Sequence, residues 1–252
     1  MRLDVFLVPS ELSPAALDGR IVAVIDVLRA TTTIAAALSA GARTVIPFAD
    51  TEDAVRTAKQ YERGEVKLAG ERHMVAIPGF DLGNSPLEFT PAAVGQQTVL
   101  LTTTNGTRAL LAAEDAKAVY VAGFANFSVT LERLQLALDT GHSLTIVCAA
   151  NEGTVSLEDA ACAGRFVHEL RSANGSLDVN DGARLCALLA THYGGDLAAL
   201  FRAAAHGRAL HDAGFVADLE VCGTVDIHPV LAEYSERAIR RSTAGAVTDR
   251  GV

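Results

Sequence analysis

Short apolar segments rich in β-branched residues alternate along this chain with longer segments that have the apolar spacing of helices, and this alternation constrains the fold most. It predicts an α/β fold, layered α/β/α, with a largely parallel or mixed sheet. The predicted strands are Arg2–Val8, Ile21–Asp26, Thr44–Phe48, Val66–Ala69, Thr98–Thr102, Ala118–Ala122 and Leu144–Cys148. The predicted helices are Thr31–Ala40, Thr51–Glu62, Asn105–Ala113, Val129–Asp139 and Leu157–Arg171.

The pattern changes after about residue 180. Asp181–Ala205 is nearly continuous helical material, and a final helix is predicted near Pro229–Arg241. We therefore expect an α/β portion at 1–175 that carries the functional motifs and a mainly helical C-terminal portion at 176–241 packed on it. The last residues, 242–252, are small and polar, which predicts a flexible tail.

Composition and charge exclude several classes of protein. The chain has 252 residues, of which 50% are hydrophobic and 20% are charged, and this is the composition of a globular protein with a core. Its net charge of −9 argues against nucleic acid or an anionic membrane as a partner, since both need a basic surface. Four cysteines without CxxC spacing favour a reduced, cytoplasmic location. The GxxxxGK[ST], GxGxxG, HExxH and GxSxG motifs are absent.

One strand–helix junction combines an acid, an arginine and three threonines. Asp26 ends a buried strand, Arg29 follows it, and Thr31–Thr33 begin a helix. Backbone amides at a helix N-terminus bind anions, and hydroxyl and guanidinium groups add donors. The alternative interpretation of Thr31 is an ordinary N-cap. Asp26 stands at the carboxyl end of a strand, where ligands bind in open α/β sheets.

A second junction, Thr102–Arg108, repeats this design with hydroxyls, an Asn-Gly pair and an arginine at a helix start. An Asn-Gly pair alone indicates only a turn. Because two such junctions occur in one chain, we predict that they share an anion pocket.

Two further segments carry polar residues of the same kind. The loop Gly70–Glu88 is long for a compact domain, which favours a functional role. Within it Ser85, Pro86 and Glu88 fit a capping box. The capping box does not account for four other polar residues of the loop, which are Glu71, Arg72, Asp81 and Asn84. In the segment Cys148–Asp159, Ser156 and Asp159 fit a capping pattern, so the acids there are either first-turn residues or ligands.

These segments resemble those of the Mg²⁺-dependent 2-phosphosulfolactate phosphatase family of the coenzyme M biosynthetic route. In the family's order, the matching stretches are IDVLRATTT (25–33), GER (70–72), GFDLGNSP (79–86), LTTTNGTRAL (101–110) and SLEDAACAG (156–164), with weaker similarity in HGRALHDAGF (206–215). The resemblance implies hydrolysis of (2R)-2-phospho-3-sulfolactate to 3-sulfolactate and phosphate. The chain departs from the family pattern at His73 and Met74, where the family has small residues, and at Ala150, where it has glycine.

Together with this resemblance, the carboxylates, arginines, hydroxyls and amides of these segments predict a site that binds Mg²⁺ and phosphate. The acids that we expect to hold Mg²⁺, directly or through water, are Asp26, Glu71, Asp81 and Asp159. With Arg29, they are also the residues that we expect to act in catalysis. The residues that we expect to bind the substrate are Thr31, Thr32, Arg72, Asn84, Ser85, Asn105, Gly106, Thr107 and Arg108. Two roles are open to Asp26, namely attack on phosphorus and positioning of metal and water.

The resulting prediction is a phosphoric monoester hydrolase whose partner is a small anionic phosphate ester. Other 2-hydroxy-acid phosphates are compatible substrates, and a homo-oligomer is a compatible state. The alternative is a non-catalytic binding protein or sensor for small anionic metabolites. Threonine-rich helix starts and arginine suit that protein equally well. A sensor, however, has no need of four acids beside an anion.

Overall fold

In the computed structural model, which describes residues 1–62 and 64–242, a mixed sheet is flanked by helices on both faces. The strands are β1 (Arg2–Phe6), β2 (Ile21–Ile25), β3 (Thr44–Phe48), β4 (Val66–Arg72), β5 (Val75–Ala76), β6 (Thr98–Thr102), β7 (Ala118–Ala122), β8 (Leu144–Cys148), β9 (Asp178–Val179), β10 (Ala232–Ser235) and β11 (Ala238–Arg241). The helices are α1 (Ala30–Ser39), α2 (Thr51–Ala58), α3 (Pro91–Val94), α4 (Gly106–Ala112), α5 (Phe127–Asp139), α6 (Leu157–Ala173), α7 (Asp181–Tyr193), α8 (Leu197–Ala203), α9 (Ala205–Asp212) and α10 (Val216–Cys222). The predicted α/β class is confirmed, and every predicted strand is present.

Both faces of the sheet are buried, and β2 shows why its sequence has no polar alternation. Ile21, Ala23 and Ile25 pack into one hydrophobic core, which also contains residues of α5, α6 and α7. Val22 and Val24 pack into a second core, with residues of α1 and α4. A strand covered on both faces is apolar at every position.

Two groups of parallel strands meet at an antiparallel hairpin. The strand order over the described residues is β5-β4-β6-β3-β11-β10-β7-β2-β8-β1-β9. β4, β6 and β3 pair in parallel, as do β7, β2, β8, β1 and β9, and the hairpin β10–β11 lies between them. The two groups therefore run in opposite directions along the sheet.

Strands of both groups nevertheless lead into one cavity, which residues at or just after the carboxyl ends of β2, β4 and β6 line together. The junctions that follow β2 and β6 are in direct contact, as the Gly106 and Asp26 distances below show.

The helix predicted near Pro229–Arg241 is wrong, because this segment forms β10 and β11. Ala232 and Tyr234 are buried in β10, which alternates in burial as a strand does. Glu236 and Arg237 connect the strands with φ values of 50° and 61°, as a two-residue hairpin turn requires. Residues 176–241 thus contain the helices α7–α10 together with β9 and this hairpin.

The predicted division at residue 175 stays a prediction, although β9, β10 and β11 all belong to the same sheet as β1–β8. Apart from Ser242, the tail predicted at 242–252 lies outside the described residues. Among the described residues, no helix has both the length and the apolar character that crossing a membrane requires.

Candidate active site

A cavity of about 230 Å³ lies where the carboxyl ends of β2, β4 and β6 meet α9. Its wall brings together the predicted residues Asp26, Arg29, Glu71, Asn84 and Asn105. The wall also contains polar residues for which the sequence predicted no role in the site, which are His73, Thr103, Thr104, Asn151, Glu152 and His206. The two junctions thus line the same cavity, and the binding of an anion there stays a prediction.

Asp26 is fixed at the end of β2 by the first turn of α1. Its Oδ1 accepts a hydrogen bond from the Ala30 amide at 3.1 Å, and the Thr31 hydroxyl donates to the Asp26 carbonyl at 2.7 Å. Thr31 lies inside α1, so its interpretation as the N-cap is wrong. A Cβ on Gly106 would lie 2.7 Å from Asp26 Oδ2, which shows how closely the second junction packs on this carboxylate.

The charge of Asp26 is held in an unfavourable environment. Burial, together with the charges of Glu71 and Glu158, raises the pKa of Asp26 to about 6, against the opposing effects of His206 and the Ala30 amide. A buried carboxylate beside other acids is the arrangement that a cation relieves.

Arg29 lies beside Asp26 with its side chain only 2% exposed. Its Nη1 donates to Asp218 Oδ2 at 2.6 Å and its Nη2 donates to the Met74 carbonyl at 3.0 Å. The guanidinium also lies 4.3 Å from the centre of the Phe215 ring. Ser85 donates to the other oxygen of Asp218 at 2.7 Å. Asp218 and Phe215, on or beside α10, therefore fix the guanidinium in the cavity wall.

Glu71 joins the β4–β5 hairpin to the second junction. Its Oε1 accepts from the Thr104 amide at 2.7 Å, and its Oε2 accepts from the Met74 amide at 3.0 Å. Two buried oxygens in the cavity wall, Asn84 Oδ1 and Thr104 Oγ1, have no hydrogen-bond partner among the described residues. Buried polar atoms of this kind are normally satisfied by protein or by ordered water, so these two oxygens are open to water or to a ligand in the cavity.

Two of the four acids predicted to hold Mg²⁺ lie elsewhere. Asp81 is 44% exposed, accepts from the Leu68 amide at 2.8 Å and lies 3.6 Å from Lys67 Nζ, so it supports the start of β4. Asp159 is buried outside the cavity wall, where it accepts from the Val27 amide at 2.8 Å. Burial, with the charges of Asp26 and Glu158, raises the pKa of Asp159 well above its usual value.

Several predicted substrate-binding residues instead hold the backbone around the cavity. Thr32 donates to the Val27 carbonyl, Thr107 to the Thr103 carbonyl and Arg72 to the Glu71 carbonyl, while Arg108 is exposed on α4. The hydroxyl of Ser85 bonds to Asp218, and Glu88 accepts from the Gly83 amide. The capping box predicted for Ser85 and Glu88 is therefore wrong, although Pro86 does begin a short 3-10 turn.

His206 and Glu158 form a pair that sequence reasoning missed. The Nδ1 atom of His206 lies 3.5 Å from Glu158 Oε1, and the two side chains are 17% and 2% exposed. Burial lowers the pKa of His206, but its contact with Glu158 and the charge of Asp26 outweigh this effect and leave the pKa raised. The one sequence signal was the weak similarity that begins at His206.

The departures from the family pattern fall in two strained turns that border the cavity. His73 and Met74 join β4 to β5 with φ values of 51° and 68°, and Ala150 and Glu152 have φ values of 67° and 49°. Glycine adopts such left-handed positions without steric cost, which agrees with the glycine that the family pattern has in place of Ala150. The two turns approach at the rim, where His73 Nδ1 lies 3.9 Å from Glu152 Oε1.

Known proteins match this chain over most of its length. The family model described as 2-phosphosulpholactate phosphatase matches residues 6–237. A protein of Symbiobacterium thermophilum, named "Probable 2-phosphosulfolactate phosphatase", is 41% identical over 221 residues, which are 86% of this chain and 93% of that protein. Proteins with the same name from Clostridium beijerinckii and Caldanaerobacter subterraneus are 31% and 34% identical, and the matches cover 95% and 96% of this chain and 99% of each relative. The chain therefore belongs to the 2-phosphosulfolactate phosphatase family.

Proposed function

We propose that this protein is a Mg²⁺-dependent phosphoric monoester hydrolase that converts (2R)-2-phospho-3-sulfolactate to (2R)-3-sulfolactate and phosphate, and that it accepts related 2-hydroxy-acid phosphates. One observation carries the proposal: two buried carboxylates, Asp26 and Glu71, line the same cavity as the guanidinium of Arg29. Carboxylates beside a guanidinium suit a metal together with an anionic ester. The family and the names of the relatives supply the substrate.

The donor set of the cavity fits Mg²⁺. Within the part of the chain that the structure describes, no three His, Cys, Asp or Glu side chains form a metal cage. Mg²⁺ does not need such a cage, because it usually keeps several waters and binds through one or two carboxylates and the substrate phosphate. Asp26 and Glu71 would hold it, and the unpartnered Asn84 Oδ1 is a further oxygen in the same wall. When bound, Mg²⁺ offsets the negative charge of the phosphoryl oxygens.

Arg29 supplies the fixed positive charge of the site. Its planar fork already contacts Asp218 and the Met74 carbonyl, so the group is held in one orientation before a ligand enters. Donors that are fixed in advance stabilise developing charge without reorganisation. Both roles of Asp26 agree with its position, and borohydride trapping after substrate addition distinguishes attack on phosphorus from positioning of water.

A sensor for anionic metabolites is less favoured by the structure. Asp26 and Glu71 are each less than a tenth exposed, and placing two such acids beside a binding site for an anion lowers its affinity unless a cation lies between them. A catalytic metal site explains the acids, whereas simple anion binding does not. The predicted cytoplasmic location and homo-oligomer stay predictions.

Release of inorganic phosphate tests the proposal. The purified protein is incubated with 2-phospho-3-sulfolactate or 2-phospholactate, first with Mg²⁺, then with excess EDTA, and then with Mg²⁺ restored. We expect release that EDTA abolishes and Mg²⁺ restores. Tight binding of either ester with no release at any Mg²⁺ concentration would favour the sensor.

A further inference from the structure

His206 has a largely buried imidazole in the cavity wall, 17% exposed, and the proposed function has so far given it no role. It is the second residue of α9, and its neighbour Glu158 is the second residue of α6, so two separate helices bring the pair together. Ala209, one turn along α9, lies in the same wall, which shows that this helix face is turned toward the cavity.

The contact with Glu158 determines what the ring can do. Glu158 Oε1 lies 3.5 Å from Nδ1, so we assign a proton to Nδ1, and Nε2 is then the ring nitrogen available to a ligand. A buried carboxylate in this position orients the imidazole and stabilises its protonated form. The arrangement is that of a positioned proton donor.

Hydrolysis of a 2-hydroxy-acid phosphate needs such a donor. The leaving group is a secondary alkoxide, on which negative charge accumulates as the bond to phosphorus breaks. A guanidinium cannot give up its proton, so Arg29 cannot be the proton donor. His73, the other histidine in this wall, is 87% exposed at the rim. Among the cavity residues that the structure describes, His206 is therefore the sheltered donor.

We propose that His206 is the general acid of the reaction and that Glu158 is its positioning residue, an inference that rests on the proposed function. The attacking oxygen forms a bond to phosphorus while the bond between phosphorus and the C2 oxygen breaks. The electron pair of the broken bond stays on the C2 oxygen, which takes the proton from His206 Nε2. The imidazole then recovers a proton from solvent. This step is the same whether water or Asp26 attacks.

The test compares two esters that differ in the acidity of the leaving alcohol. One is 2-phospholactate and the other is its 3,3,3-trifluoro analogue, whose more acidic alcohol leaves with less need of a proton. We expect His206→Gln to lower kcat for 2-phospholactate by about 10²-fold or more, and kcat for the trifluoro ester by about tenfold or less. Equal losses on the two esters would overturn the inference.

Two further variants separate this role from a structural one. Glu158→Gln is expected to produce the same dependence on the leaving group with a smaller loss, and to change kcat more than KM. This variant also keeps the inference testable if His206→Gln does not fold. His211→Gln is the matched control, because His211 lies on the same helix and is 66% exposed, and its losses on both esters should stay within about twofold.

The controls also separate the inference from the proposed function. If the wild-type protein releases phosphate from neither of these esters nor from 2-phospho-3-sulfolactate, the proposed function fails and the role of His206 fails with it. If the wild type hydrolyses both and Glu158→Gln shows no difference between them, only the inference fails.

Discussion

The two strand–helix junctions are similar in sequence, yet they contribute different groups to the site. After β2, Arg29 precedes α1 and its side chain enters the cavity wall beside Asp26. After β6, Arg108 is the third residue of α4, and the turn of the helix places it on the exposed side. The first junction supplies charged side chains, whereas the second supplies backbone and small residues. Whether an arginine at a helix start enters the site therefore depends on its exact position relative to the first turn.

Close packing links the two junctions. Gly106 begins α4 against Asp26 and Ala30, and the Thr104 amide bonds to Glu71. The lack of a side chain at Gly106 thus allows one junction to approach the carboxylate of the other. Substitutions at matched positions of the two junctions test this division of roles.

Asp26→Asn is expected to have the largest effect, a loss of about 10³-fold in kcat/KM, because it removes the central carboxylate. The effect on stability should be opposite. With the pKa of Asp26 raised to about 6, its ionisation lowers the stability of the folded protein as the pH rises from about 4 through 6. Asparagine carries no charge and can still accept from the Ala30 amide, so the Tm of the variant at pH 8 should equal or exceed that of the wild type. A clearly lower Tm would indicate a structural acid instead.

Arg29→Lys is expected to lower kcat/KM by about 10²-fold, or roughly 3 kcal/mol of transition-state stabilisation. A lysine keeps the charge but cannot contact Asp218, the Met74 carbonyl and a ligand together through one planar fork. The measurement is steady-state kinetics with Tm as a check of folding. A variant with wild-type turnover would remove Arg29 from the site.

Gly106→Ala is expected to lower kcat/KM by about tenfold, because the new Cβ would lie 2.4 Å from Ala30 Cβ and 2.7 Å from Asp26 Oδ2. Displacement of the carboxylate is the cause of this loss. Gly175→Ala is the matched control, since a Cβ there meets no atom within 4 Å. Equal kinetics for the two variants would show that the junctions do not need this close approach.

Arg108→Lys is expected to have the smallest effect, a change in kcat/KM within about twofold, because exposed substitutions away from a site are nearly neutral. Arg108→Lys is the same chemical change as Arg29→Lys, made at the second junction instead of the first. A loss as large as that of Arg29→Lys would mean that α4 moves Arg108 into the cavity when substrate binds.

The fold was predictable wherever the local pattern and the tertiary environment agree. The continuous apolar run of β2 predicts a strand because both of its faces are covered. The segment from Ala232 to Arg241 contains good helix formers, yet pairing with β7 and β3 makes it a hairpin. Such pairing between residues distant in sequence is not encoded in the local pattern.

The site was predictable where a motif carries its own chemistry. Asp26, Arg29 and Glu71 stand at strand ends, and the structure brings them together. Asp218 and His206 come from helices far along the chain, where an isolated acid or histidine has no distinctive spacing. Asp81 lies within a matching stretch, yet its side chain is 44% exposed outside the cavity wall and bonds to the Leu68 amide, so its metal role stays a prediction.

The most direct test of the site is the dependence of phosphate release on Mg²⁺ concentration, measured with 2-phospho-3-sulfolactate for the wild type, Glu71→Gln and Asp81→Asn. Glu71 lies in the cavity wall between the two junctions, whereas Asp81 lies outside it at the start of β4. We expect Glu71→Gln to raise the Mg²⁺ concentration for half-maximal rate by about tenfold or more, and Asp81→Asn to leave it within about twofold. A large shift for Asp81→Asn with none for Glu71→Gln would contradict this assignment of the metal site.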